Sequence, residues 1–165
     1  MFDLKPLSDN AIRRATAKAE RYRLLGEPEE AESICRDILC TDRDNQEVLA
    51  MLLLAITDQF TRGAEALVAE AHQVRNMLSG EYDRAYYSGI ISERWLKAQL
   101  RGGGRPEILG GWFIEAQDSY RKAQALAPPG NEDAILRWNA CVRFLERHPG
   151  LLAEAEAGEP DFSDA

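Results

Sequence analysis

The chain has almost none of the signals a β-sheet needs. Its β-branched residues are scattered and no segment sustains an apolar–polar alternation, so strands are not expected. Long apolar runs are missing too. The longest, "VLAMLLLAI" at 48–56, is half of what a bilayer crossing requires. The opening "MFDLKPLSDN" carries acids and a proline where a secretory leader would have a basic start and an apolar stretch. Cysteine is scarce: Cys35, Cys40 and Cys141 make an odd count, and two lie five apart in one helical pattern. That argues against a disulfide framework and for a reducing, cytoplasmic setting. Histidine is scarcer still. His72 and His148 form no zinc-site spacing with the cysteines, so neither a metal nor a cofactor is expected.

Catalytic signals are equally thin. Cys35 and Cys141 both fall on apolar helical stripes, where a thiol is a packing group and chemically inert. "GGGRP" at 102–106 has glycines that could aim N–H groups at a phosphate. It lacks the lysine followed by Ser or Thr, and no strand precedes it, so a mobile connector is the better reading. Basic residues cluster only around the first helix, at Lys5, Arg13, Arg14, Lys18, Arg21 and Arg23. Without interleaved aromatics they read as a solvated face, and no nucleic acid is expected.

What is present is a single domain's worth of amphipathic helix. The chain has 165 residues, 45% of them apolar and 29% charged. Its formal charge of −8 is concentrated: residues 151–165 hold five acids and no base, leaving −3 for the rest. The spacing predicts helices over about 10–25, 28–40, 46–58, 62–78, 82–100, 112–126 and 131–147. Pro28 can open the second, and Asn131 can cap the seventh. The third is apolar almost all round and should be buried on several sides. The division is an arm at 1–10, a helical domain at 11–148 with a flexible glycine-rich loop at 101–111, and an acidic, disordered tail at 149–165.

Internal spacing favours stacked helix pairs over a bundle. Ala31, Cys35 and Ile38 stand at offsets of 0, 4 and 7; so do Ala116, Tyr120 and Ala123, and, less fully, Ala64, Val68 and Ala71. Those offsets mark one helix face, and a small residue at the first lets two backbones approach. Ala19 with Tyr22, the acids Glu29 and Glu30 before Ala31, and Pro128 twelve after Ala116 complete the pattern. It resembles the tetratricopeptide repeat family over roughly 11–147. The anchors Ala31 and Ala64 are 33 apart, near that family's period; Ala64 and Ala116 are 52 apart, the excess falling in the fourth helix and the glycine loop.

The resemblance implies an all-α, right-handed α-solenoid of about three helix pairs plus a capping helix. It also implies a concave groove that binds another protein, making the chain a non-enzymatic adaptor or scaffold. Counting back from Ala31 places Arg13, Thr16, Ala17, Glu20 and Arg23 in that groove. The second pair gives Leu49, Ala50 and Leu53, with a register uncertainty of one residue, and the third gives Asp83, Tyr86, Tyr87 and Ile90. Thr16 and Glu20 stand where the family's carboxylate clamp needs lysine and asparagine, so that specificity does not carry over. The expected groove is cationic at its N-terminal end and apolar to aromatic further along. It suits a segment with acids at one end and an apolar anchor at the other, a character shared by the chain's own "EPDFSDA". The alternative is a self-association module in which the third or last helix pairs with its copy.

Overall fold

A computed structural model of the protein describes residues 2–152, which form seven α-helices and no strand. The helices are α1 (Ile12–Leu24), α2 (Pro28–Thr41), α3 (Gln46–Asp58), α4 (Glu65–Asn76), α5 (Glu81–Arg101), α6 (Pro106–Leu126) and α7 (Asp133–Arg147). A 3-10 turn at Asp9–Ala11 precedes α1 and another at Pro149–Leu152 follows α7. No helix among the described residues is long and apolar enough to cross a membrane.

The helix boundaries have local causes. Pro28 and Pro106 occupy the first helical turn, where a missing N–H costs nothing. Asn45 caps α3 by accepting the Val48 N–H at 3.1 Å. Asn131, expected to cap α7, lies one residue before its N-cap Glu132; it accepts the Asp133 N–H at 3.0 Å and the Tyr82 hydroxyl at 3.1 Å, which ties the turn before α7 to α5.

Each helix packs on the next, and α3 also meets α1 and α5. The start of α1 faces the start of α3, where Arg13 and Glu47 line one recess. The end of α1 meets the end of α3 through an Arg23–Asp58 ion pair, so the two run parallel. The small and apolar residues at offsets 0, 4 and 7 are the packing positions: Ala31, Cys35, Ile38, Ala116, Tyr120 and Ala123 are all buried. Helix α3 buries Val48, Leu49, Leu52, Leu53, Ala55 and Ile56, while Ala50, Met51 and Leu54 are half-buried.

Two boundaries differ from the sequence reading. The expected flexible loop at 101–111 is a turn of four residues between α5 and α6, and residues 106–111 are the first turns of α6. Pro106 and Glu107 open that helix as Pro28 and Glu29 open α2. Gly110 is there for close approach: a Cβ on it would lie 2.1 Å from the Leu151 carbonyl oxygen. Leu151 itself is buried, so residues 149–152 belong to the fold and are not part of a tail. The remainder of the expected tail, 153–165, lies outside the described residues.

The tightest helix contact is between α5 and α6. A Cβ on Gly89 would lie 2.5–2.8 Å from three ring atoms of Tyr120, a side chain that is fully buried and tethered through its hydroxyl to Glu93. Alanine is the better helix former by about 1 kcal/mol, yet Gly89→Ala should destabilise the protein by about 1–3 kcal/mol through overpacking. A urea midpoint unchanged or raised in Gly89→Ala would show that the two helices are not in this register.

Candidate functional site

The face made by α1, α3 and α5 gathers most of the residues expected to line a groove, but not all. Arg13, Thr16, Ala17 and Glu20 line an open recess of about 560 Å³ against α3. Its other charged walls are Asp9 and Glu47, so Arg13 stands alone among three acids. This recess is therefore acidic; Arg23, the other base expected on α1, lies at the far end of that helix against Asp58. The sequence reading had left out Asp9 and Glu47, which the turn before α1 and the start of α3 bring in.

Helix α3 turns differently from the expected register. Leu49 and Leu53 are 1% and 0% exposed, and Ala50 is half-buried. Leu49 faces the other side, flooring a recess between α2 and α4 with Leu52 and Val74. The residues α3 contributes to the α1–α5 side are Glu47, Leu54 and Asp58, one helical stripe at i, i+7 and i+11.

On α5, Asp83 and Tyr87 are half-buried, while Ile90 is core at 4% exposed. Tyr86 is divided between roles. It stacks on Tyr82 at 5.8 Å, meets Tyr87 edge-on at 5.2 Å and packs 6.0 Å from Tyr120, so much of it is structural. Burial pushes its hydroxyl pKa up to about 12, and Asp133 adds to the shift. Burial also raises Tyr87, helped by Asp83 and Tyr82, while Arg23 of α1 opposes it. The opposition means that α1 and α5 meet each other electrostatically across this face.

The stripe that holds Asp83, Tyr87 and Ile90 continues at 3.6-residue spacing to Arg94, Lys97 and Arg101, which the sequence reading missed. Arg94 donates to Asp58 Oδ1 at 2.6 Å, to the Thr57 hydroxyl at 2.7 Å and to the Leu54 carbonyl at 3.1 Å. Asp58 Oδ2 accepts from Arg23 at 2.6 Å, so one carboxylate bridges cations from α1 and α5. Arg62, in the loop after α3, donates to the Gly102 carbonyl at 2.9 Å and sits beside the end of α5. Among the described residues neither Arg62 nor Arg101 has a carboxylate partner.

The other carboxylate on this side is Glu93, 1% exposed. It accepts from Lys97, from the Tyr120 hydroxyl at 2.7 Å, and from Arg137 of α7 through two guanidinium nitrogens, one of them at 3.1 Å. Burial alone would raise its pKa. The hydrogen bonds from Arg137, Lys97 and Tyr120 overcome that and hold it at about 2. Burial pushes the Cys35 and Cys141 thiols up to about 12, leaving both neutral. Among the described residues no group of three His, Cys, Asp or Glu side chains is placed to hold a metal ion.

The face is therefore partly polarised along its helix axes. Glu47, Glu81 and Asp83 stand where α3 and α5 begin, and Arg21, Arg23 and Arg101 where α1 and α5 end, with Tyr87 between; Arg13 and Arg14 at the start of α1 and Asp58 at the end of α3 run against the trend. Comparison of the chain with family models, curated proteins and solved structures returns no match.

The Glu93 cluster makes stability fall at low pH. Its folded pKa of about 2 lies below the ordinary value of 4.5, so the unfolded chain takes up the proton first. The contribution is complete above that ordinary value and is lost as pH falls toward the folded one, amounting to roughly 3 kcal/mol. Urea midpoints of the wild type should drop across this window, and Glu93→Gln should flatten that part of the profile. Parallel profiles for the two proteins would show that Glu93 is not held this way.

Proposed function

We propose that the chain is a non-catalytic interaction adaptor whose α1–α3–α5 face holds a peptide segment of a partner protein. In this reading the architecture is a right-handed α-solenoid of three tetratricopeptide-like helix pairs, α1–α2, α3–α4 and α5–α6, closed by α7. Supporting it are the parallel course of α1 and α3, the burial of the offset-0, 4 and 7 residues of α2 and α6, and the sequential packing of every helix on the next.

The observation that carries the proposal is the polarity of the face. Arg62 and Arg101 are exposed bases with no carboxylate partner among the described residues, beside two more cations already sharing Asp58. A ligand segment would set acids against this basic end and an apolar side chain near Tyr87. Tyrosine supplies contact area with little entropy to lose, which suits an anchor position. Individual exposed pairs contribute about 0.2–1 kcal/mol, so affinity should be modest and should fall with salt.

The direct test uses a fluorescently labelled peptide with several acids flanking a phenylalanine, and its amide counterpart as reference. Anisotropy should show binding of the acidic peptide at low salt and none of the neutral one. Arg62→Glu with Arg101→Glu should weaken binding about tenfold or more, because two attractive contacts become repulsive. The charge-matched pair Arg43→Glu with Arg121→Glu, away from this face, should leave it unchanged. Equal loss in both pairs would reduce the attraction to net charge, and no binding by the wild type or intact binding by the Arg62/Arg101 pair would overturn the assignment of this face.

A further inference from the structure

The chain carries its own candidate ligand for the basic end of this face, and the fold releases it nearby. Contacts link Arg23 and Arg94 to Asp58, and Lys97 and Arg137 to Glu93; Arg62 and Arg101 extend the same end. Asp58 and Glu93 are thus both already engaged, while Arg62 and Arg101 have no carboxylate partner among the described residues; Glu65 and Glu107, in the first turns of α4 and α6, are further acids at this end. Below Lys97 lies a recess of about 250 Å³ lined by Leu100, Arg101, Phe144 and His148. Its walls are apolar on two sides and cationic at the rim, with Lys97 Nζ 5.2 Å from the Phe144 ring centroid. An aromatic side chain fits such a site by size and by the chemistry of its surroundings.

His148 lines that recess, and only the turn at Pro149–Leu152 separates it from the segment that follows. Leu151 is pinned beneath Gly110, so the turn is fixed and the chain leaves the fold at the same end as the basic cluster. Residues 153–165, "AEAEAGEPDFSDA", contain five acids, no base and one aromatic residue, Phe162. Phe162 is ten residues beyond Leu152, a reach of up to about 33 Å. Both the tether length and the charge therefore suit one occupant.

We propose that residues 153–165 are an internal ligand of this basic end, with their acids on Arg62 and Arg101 and Phe162 in the Lys97–Phe144 recess. The segment then regulates the face by competing with an outside peptide. This rests on the reading of the face as a peptide site, but the two can fail separately. A tether of this length gives an effective concentration on the order of 1 mM. Against a segment affinity on the order of 0.1 mM, competition lowers the apparent affinity for an outside acidic peptide about tenfold. The contact is electrostatic at long range, so the competition fades together with the binding as salt rises.

Two measurements on the full-length chain test this. The first titrates the labelled acidic peptide against wild type and against a variant with Glu154→Gln, Glu156→Gln, Glu159→Gln, Asp161→Asn and Asp164→Asn. The variant should bind about tenfold more tightly at low salt; equal or weaker binding overturns the proposal and leaves the peptide site standing. The second treats the intact protein with a carbodiimide and maps zero-length cross-links by mass spectrometry, using a mixture of 14N and 15N chains. Links from Lys97 to the carboxylates of 153–165 within single chains support the internal contact, even if no outside peptide binds, a result that would overturn the adaptor reading alone. Links chiefly between 14N and 15N chains, or none at Lys97, overturn it.

Discussion

The packing of α5, α6 and α7 is organised around a single buried carboxylate. Glu93 on α5 takes hydrogen bonds from Lys97 one turn later, from Tyr120 on α6 and from Arg137 on α7. An unpaired carboxylate at this depth would cost several kcal/mol, and removing any donor would leave part of that cost uncompensated. The donors in turn fix their own helices. Tyr120 can reach Glu93 only because Gly89, one turn earlier on α5, lets the ring lie against the helix backbone. Arg137 draws α7 toward α5 across a gap that few backbone contacts span. Three helices are thus registered by one side chain, and a shift in any of them would break the set.

Asp58 repeats the arrangement at smaller scale and in a wetter place, with Arg23 from α1 and Arg94 from α5. In both cases one acid serves two cations, so each node neutralises itself incompletely and leaves positive charge behind. Helix dipoles favour the same distribution. Bases near the ends of α1 and α5, and acids near the starts of α3 and α5, each gain a few tenths of a kcal/mol from the backbone alone. Much of the polarity therefore has a structural cause. The group that exceeds this cause is Arg62, which lies in a loop; Arg101 is the base that closes α5, and among the described residues it too has no carboxylate partner. They are the residues on which a binding role for the face turns.

The sequence made the helices legible because their stripes and stop signals are strong. Buried α3, the packing alanines and the entry of α2 at Pro28 all follow from spacing and cap chemistry. The start of α6 was hidden by five nearby glycines, which look like a loop until the approach of Leu151 to Gly110 is known. The signal that would have found it, proline followed by an acid, is the one that opens α2. On the candidate site, Arg13, Thr16, Ala17 and Glu20 were placed together correctly. Their electrostatic setting was not, since it depends on Asp9 and Glu47 from other elements. On α3, Ala50 falls on the Glu47–Leu54–Asp58 stripe, and Leu49 and Leu53 lie one residue off it, because a helix that is apolar nearly all round offers no polar edge to set its rotation. Arg94, Lys97 and Arg101 could have been reached by extending the α5 stripe about three more turns beyond Ile90. Glu93 could not, because no local pattern marks a glutamate whose partners lie 27 and 44 residues away.

The electrostatics also bear on the class of function. The strongly shifted groups are displaced away from neutral pH: Glu93 is fixed as an anion, and Cys35, Cys141, Tyr86 and Tyr120 are held as neutral acids by burial. A site built for acid–base or nucleophilic work moves a group toward the working pH, so that it can give and take a proton. Here the shifts make protonation states permanent. Permanent charges held on parallel helices can serve as recognition elements, because their field does not change when a ligand arrives. That supports a face that reads charge and one apolar anchor on a partner, with selectivity set by where Arg62 and Arg101 stand relative to Tyr87.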